Sequence, residues 1–418
     1  MNKFMPWMTN SFAPKVNKFA KNAWVASVQD AIVSGMPMIL IGSFATLLAI
    51  IKTYVAWFPD FSMISTFSFG LFSLYIAIMI PNAVMKHKKH LEIEKQAGLA
   101  GLAFFLMLTY PKFNLNTGAV TFDSNAFGTG GMIAALLSGL FVGLIMHLFT
   151  KIQFVKEDSS LPDFIAVWFN TLLPIIVILL VGWLFTFQLH INLFNAINSV
   201  FSPLIHLGQS YWGLVILMFL GFSFLYSFGI SSWVLTPVIY AIELPGIAAN
   251  QAAHAAGHAA TNIFTVEATT MILIGGGGAT LSLCIMMAFL AKSSRLRMIG
   301  KAALIPGIFN INEPLVFGAP IAFNPILMVP FWISGIVTPT LLWLSMKLHM
   351  VPIPTAPFQM WYTPGPIAGW LVTKSIAGII FVLVVFAVSW LIYWPFFKAY
   401  DKQAIAQDLA WAEEENEE

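Results

Sequence analysis

One acid and two amides stand out in the stretch 304–330, LIPGIFNINEPLVFGAPIAFNPILMVP: Glu313, with Asn310 and Asn312 just before it. The rest of the stretch is apolar enough to lie at bilayer depth, yet it cannot be one helix. Pro306, Pro314, Pro320, Pro325 and Pro330 each lack an N–H, and each disfavours helix in the residue before it. Gly307 and Gly318 allow further bends. Non-helical backbone at that depth survives only where it packs against protein or lines a wet cavity. An ionisable residue there marks a functional site by default. The chemistry on offer is hydrogen bonding to a polar solute, with Asn312 and Glu313 presented on a re-entrant hairpin near 304–322. A purely structural role would make Glu313 a buried acid tying two half-helices together.

A second broken segment, 352–372, reads PIPTAPFQMWYTPGPIAGWLV and holds Gln359, Trp361, Tyr362 and Thr363. Two broken hairpins entering from opposite faces match the build of transporters made of inverted repeats. An aromatic opposite an acid and amides suits a sugar: the ring stacks on the apolar face of a pyranose, and the polar groups bind its hydroxyls. The competing role for Trp361 is an interfacial anchor. Other polar clusters offer less. His254 and His258 have the i, i+4 spacing of a metal pair, but no third ligand supports them. The run Gly275–Gly278 lacks the Gly-Lys-Ser/Thr that completes a phosphate loop, so it reads as close packing or backbone approach to a ligand.

These residues need a membrane to position them. The hydrophobic share is 59% and the charged share 9%, against roughly a quarter charged in soluble domains; mean hydropathy is +0.83. The 14 Trp and 38 Phe suit lipid contact and interfacial belts. A net charge of +2 gives no case for nucleic acid, because the basic residues cluster in loops. A single cysteine, Cys284, excludes a disulfide framework, a cysteine zinc site and a Cys-x-x-Cys redox pair. No cofactor or metal is implied. The N-terminus is basic and partly amphipathic, which predicts a cytoplasmic surface helix rather than a cleaved signal.

Apolar runs near 28–51, 66–85, 130–150, 165–188, 210–229, 266–291, 326–348 and 374–396 are long enough to span, and shorter ones at 97–110 and 230–245 close the topology. The expected fold is therefore an all-α integral membrane protein with about ten transmembrane helices and two re-entrant hairpins in its C-terminal half. Sixteen of the twenty Lys and Arg then fall inside; Lys52, Lys112, Lys347 and Lys374 fall outside. Both termini are expected in the cytoplasm. The segment 189–209 predicts an amphipathic helix on the outer surface. The expected organisation is a five-helix half at 1–188, that linking helix, a substrate-binding half at 210–397 and a cytoplasmic acidic tail at 398–418.

Asn312-Glu313-Pro314, followed by Gly318, Pro320 and Asn324-Pro325, resembles the signature of the sugar-translocating enzyme IIC of bacterial phosphoenolpyruvate-dependent phosphotransferase systems. The lactose, cellobiose and diacetylchitobiose branch is nearest. Met36-Pro37, Gly42-Ser43, Phe228-Gly229-Ile230, Asn250, the run Gly275 to Leu281, Trp361 and Thr363-Pro364 extend the likeness nearly end to end. The resemblance implies a homodimer joined by its N-terminal halves, with C-terminal halves that carry sugar by an elevator-like motion. It also implies phosphorylation of a bound sugar, such as cellobiose or a related β-linked disaccharide, by a phosphocysteine on a separate IIB protein, itself charged by IIA. No residue here carries that phosphoryl group. Glu313 would orient the accepting hydroxyl and could help remove its proton. Asn312 and Trp361 would bind the sugar, with Thr363, Asn250, Tyr226 and Ser231 at family site positions. The sequence departs from the family pattern at three positions. Ser231 replaces a sugar-contacting His, Tyr226 a Trp, and Ala249 the Glu that usually precedes Asn250. A transporter that does not phosphorylate its solute, or a sugar sensor, is the alternative. Ion coupling would want more buried acids. Glu313 is the one acid that reads as deep, with Asp30 and Glu243 near span ends.

Overall fold

Long apolar runs separated by short polar turns fold into an almost wholly helical chain. The structure, a computed structural model, describes residues 11, 15, 18, 21–55, 57–152, 162–230, 232–319 and 321–417. Six helices among these are long and apolar enough to cross a membrane: Ser62–His87, Thr129–Phe149, Ile165–Gln188, Tyr211–Phe228, Pro325–Lys347 and Ile376–Asp408. Ser231, one of the candidate site residues, lies outside the described residues, as does Pro320. The chain divides into two compact units, Lys18–His206 and Leu207–Glu418.

The first unit is a helical bundle built on α1 (Ala23–Tyr54), α2 (Phe72–His87), α3 (Glu94–Leu108), α4 (Met132–Phe149) and α5 (Asp163–Trp183). Lipid tails are as apolar as leucine, so helices in a membrane associate through close packing at small residues. Here Gly139 and Gly143 of α4 lie on Ile80 and Val84 of α2, where an added Cβ would sit 2.8 and 3.0 Å from their side chains. Between α3 and α4 the only strands among the described residues, β1 (Lys112–Phe113) and β2 (Val120–Thr121), form a short antiparallel hairpin. The segment expected to be an amphipathic helix is α6 (Leu193–Gly208).

The second unit begins with α7 (Tyr211–Phe219), which runs through a π turn toward Phe228. Its other helices are α8 (Thr236–Ala255), α9 (Val266–Thr270), α10 (Leu281–Ile285), α11 (Ser294–Ile308), α12 (Glu313–Gly318), α13 (Pro325–Lys347), α14 (Gly365–Thr373) and α15 (Ile376–Glu417). Phe331 of α13 and Tyr393 and Phe397 of α15 form a buried core with Leu283, Met286 and Leu315.

Three expectations are corrected here. The run 266–291 is not one span. Thr265 caps α9 by accepting from the Ala268 N–H at 3.2 Å. The helix then gives way to a glycine turn in which Gly275, Gly276 and Gly278 have φ of 77°, 93° and 71°, a region that L side chains enter only with strain. The run near 230–245 becomes α8, which starts later, at Thr236, and runs on to Ala255, and this carries Glu243 into mid-helix. The hairpin near 304–322 is more helical than its prolines suggest: Pro306 sits inside α11, and a tight turn leads into α12. By contrast, 352–364 contains no helix. Its prolines keep it irregular until α14, which has Pro366 in its first turn, where a missing N–H costs nothing.

The acidic C-terminal stretch continues α15. Asp401 accepts from the Lys292 and Ser293 N–H groups at 3.0 Å each, and the Ser293 hydroxyl donates to Asp408 at 2.6 Å. These bonds satisfy backbone donors at the start of α11.

Candidate functional site

The turn from α11 to α12 is fixed by Asn310. Its φ of 62° is left-handed, which asparagine tolerates better than most residues. Its Oδ1 accepts from the Gly275 N–H at 3.0 Å, and its Nδ2 donates to the carbonyls of Trp361 and Thr363 at 2.6 and 3.0 Å. One buried amide thus joins three segments that form no regular helix. Asn312 continues the stitch: its Nδ2 donates to the Gly277 carbonyl at 2.9 Å and to the Thr280 hydroxyl at 3.1 Å. A Cβ on Gly276 would lie 2.5 Å from the Asn312 side chain. The glycine run therefore serves close approach as well as its turn.

A second set of bonds holds the segment that carries Trp361. Glu267, fully buried at the start of α9, accepts on Oε1 from the Phe358 N–H at 2.9 Å and from Gln359 Nε2 at 2.6 Å. Asn250 accepts on Oδ1 from the Thr261 and Asn262 N–H groups and donates through Nδ2 to the carbonyls of Asn262 and Pro354. We expect Asn250→Ala to lower the thermal unfolding temperature without moving any cavity-lining group. A side chain saturated by backbone is a brace, and each buried group it leaves unpaired costs about 1–3 kcal/mol.

Between these frames lies a cavity of about 320 Å³, within the range of small-molecule sites. Trp361, Tyr226, Tyr240 and Phe222 give it aromatic walls; Asn312, Glu313, Glu243, Thr236 and Thr269 give it hydrogen-bonding groups. The Tyr226 hydroxyl is buried and lies beside Glu313, the acid that acts on it most directly. Glu313 itself is exposed to the cavity, at the first position of α12. A phenol hydroxyl beside a carboxylate open to the cavity offers a polar ligand both a donor and acceptors.

Of the residues singled out from sequence, Tyr226, Asn312, Glu313 and Trp361 line this cavity together. Asn250 and Thr363 do not line it: the first braces the loop at 261–262, and the carbonyl of the second holds Asn310. Ser232, next to the undescribed Ser231, does. The expectation that Glu313 is the only deep acid is overturned. Glu243 and Glu267 are 2% and 0% exposed, and Glu243 lines the cavity. One signal for Glu243 was available, a lone acid in the apolar stretch 236–247. Glu267 stands at the second residue of the run 266–291, which reads as a continuous span, so its place at the start of a short helix was not visible.

Trp361→Ala should weaken binding of a sugar ligand by about 1–3 kcal/mol through lost stacking and burial. Titration calorimetry on the purified protein measures it; unchanged affinity would return Trp361 to the role of interfacial anchor.

Broken helices meeting at a polar, aromatic-walled cavity inside an apolar helical protein are the build of a membrane carrier for a polar solute. Residues 29–335 match the family model described as Phosphotransferase system, EIIC. The chain belongs to that family and is a multi-pass membrane protein. It is 28% identical to the lichenan permease IIC component of Bacillus subtilis (strain 168), over 98% of this chain and 96% of the relative. It is also 28% identical to the lactose-specific EIICB component of Staphylococcus epidermidis, over 100% of this chain and 74% of the relative. Among solved structures it is similar to the transporter ChbC, the IIC component from the N,N'-diacetylchitobiose-specific phosphotransferase system. There the TM-score is 0.86 at 27% identity, covering 96% of this chain and 99% of the other.

Proposed function

We propose that this chain binds a β-linked disaccharide of the cellobiose, lactose or chitobiose type in the cavity between α8, the glycine turn and α12. It carries the sugar across the membrane and presents it to a separate phosphorylated IIB protein. The observation that carries the reading is the convergence of Glu313, Asn312, Tyr226 and Trp361 on one cavity. Relatives named for lichenan, lactose and diacetylchitobiose support the sugar class.

In this reading Trp361 stacks on a pyranose face, and Glu313 accepts a hydrogen bond from the hydroxyl that becomes phosphorylated. That oxygen attacks the phosphorus of the partner's phosphocysteine. The O–P bond forms as the S–P bond breaks, the sulfur leaves as thiolate, and the hydroxyl proton passes to Glu313. The lactose relative carries IIC and IIB in one chain by its name. The one cysteine here, Cys284, is buried in the core, so the phosphocysteine is proposed to come from a separate IIB partner. We extend the reading to a homodimer joined through the first unit, with the second unit moving as the carrier.

The test is binding by the purified protein of a panel of mono- and disaccharides, read by thermal shift. A β-linked disaccharide should stabilise the wild type, and the Glu313→Gln protein should lose most of that response. Stabilisation by no sugar would refute the substrate class.

A further inference from the structure

Glu243 has no part in the mechanism above, yet it occupies the same cavity. It lies in the middle of α8, 2% exposed, and its Oε1 accepts from the Thr269 hydroxyl at 2.9 Å. The second carboxylate oxygen has no hydrogen bond among the described residues, and Glu243 lines the cavity. The described lining holds two carboxylates, Glu243 and Glu313, and no Lys, Arg or His. Glu267, the neighbouring acid, has one oxygen occupied by Phe358 and Gln359 and supplies no positive charge. A buried carboxylate is costly unless a cation or strong donor meets it. No described residue lining this cavity is a cation, so an ion pair at Glu243 would need its positive charge from the ligand.

We propose that Glu243 is a specificity-determining residue that selects a sugar bearing a free amino group. The ammonium of the sugar donates to the second oxygen of Glu243 while Thr269 holds the other oxygen and fixes the plane of the carboxylate. Such a charge-assisted bond is stronger than one from a neutral hydroxyl. This rests on the sugar reading given above and refines it to a substituent. It sets this pocket apart from one suited to an acetylated amine, which carries no charge.

The experiment is calorimetric titration of the full-length protein in detergent with three β-1,4 disaccharides that differ only at the second carbon: cellobiose, diacetylchitobiose and its fully deacetylated form. The pH is set so that the free amines are protonated. The wild type should bind the deacetylated sugar roughly tenfold or more tighter than cellobiose. In Glu243→Gln, which still accepts from Thr269, the ratio should fall to about one. Thr269→Val, which keeps the charge but frees it, should reduce the ratio less, and serves if Glu243→Gln does not fold. Equal affinity for the deacetylated sugar and cellobiose, tighter binding of the acetylated sugar, or an amine preference that survives Glu243→Gln would overturn the proposal while leaving the sugar reading intact. Binding of none of the three would overturn both.

Discussion

Glu313→Gln is expected to lower phosphorylation-coupled sugar uptake by about two to four orders of magnitude, the usual loss when a positioned acid–base group is removed. Its folding should be unaffected. Glu313 is exposed to the cavity beside the Tyr226 hydroxyl, and glutamine keeps an acceptor for that hydroxyl, so no buried group is left unpaired. The amide accepts a hydrogen bond more weakly than the carboxylate, so binding weakens, and it cannot take the hydroxyl proton. Uptake of labelled sugar into vesicles, beside the thermal unfolding of the same variant, separates lost chemistry from lost structure. Uptake near the wild-type rate would remove Glu313 from the mechanism.

Asn310→Ala should be the most damaging single change in the second unit. It strands the Gly275 N–H and two carbonyls, those of Trp361 and Thr363. Each buried group left unpaired costs about 1–3 kcal/mol, so the variant should lose several kcal/mol. It also places alanine where the backbone is left-handed, φ 62°, which adds strain. Scanning fluorimetry should show a clearly lower unfolding temperature and weak sugar binding. Asn310→Asp keeps the acceptor for Gly275 and loses both donors, so it should fall between. A wild-type unfolding temperature for Asn310→Ala would mean that the three segments are held by other contacts.

The two broken segments were visible in the sequence because proline spacing and lone polar groups in apolar runs have few structural meanings. That reasoning found Asn312, Glu313 and Trp361. It assigned Asn310 no task beyond membership of the polar cluster, since a side chain that bonds segments 35 and 51 residues away leaves no local trace. Hydropathy windows treat 266–291 as continuous because glycines score as neutral, whereas the positive φ angles at Gly275, Gly276 and Gly278 divide it. The same break brings Thr269 to Glu243. An acid that seemed to sit near a span end thereby joins the cavity. Helix lengths fared better: α13 and α15 follow from unbroken apolar runs of the required length.

The most direct test of the central claim reconstitutes this chain into liposomes and adds a phosphorylated IIB protein on one side, with a labelled β-linked disaccharide on the other. The account predicts that sugar phosphate accumulates on the IIB side, that accumulation stops when IIB is unphosphorylated, and that Glu313→Gln abolishes it. Accumulation of unmodified sugar at the same rate without IIB would contradict it and make the protein a carrier driven by an ion or by the sugar gradient.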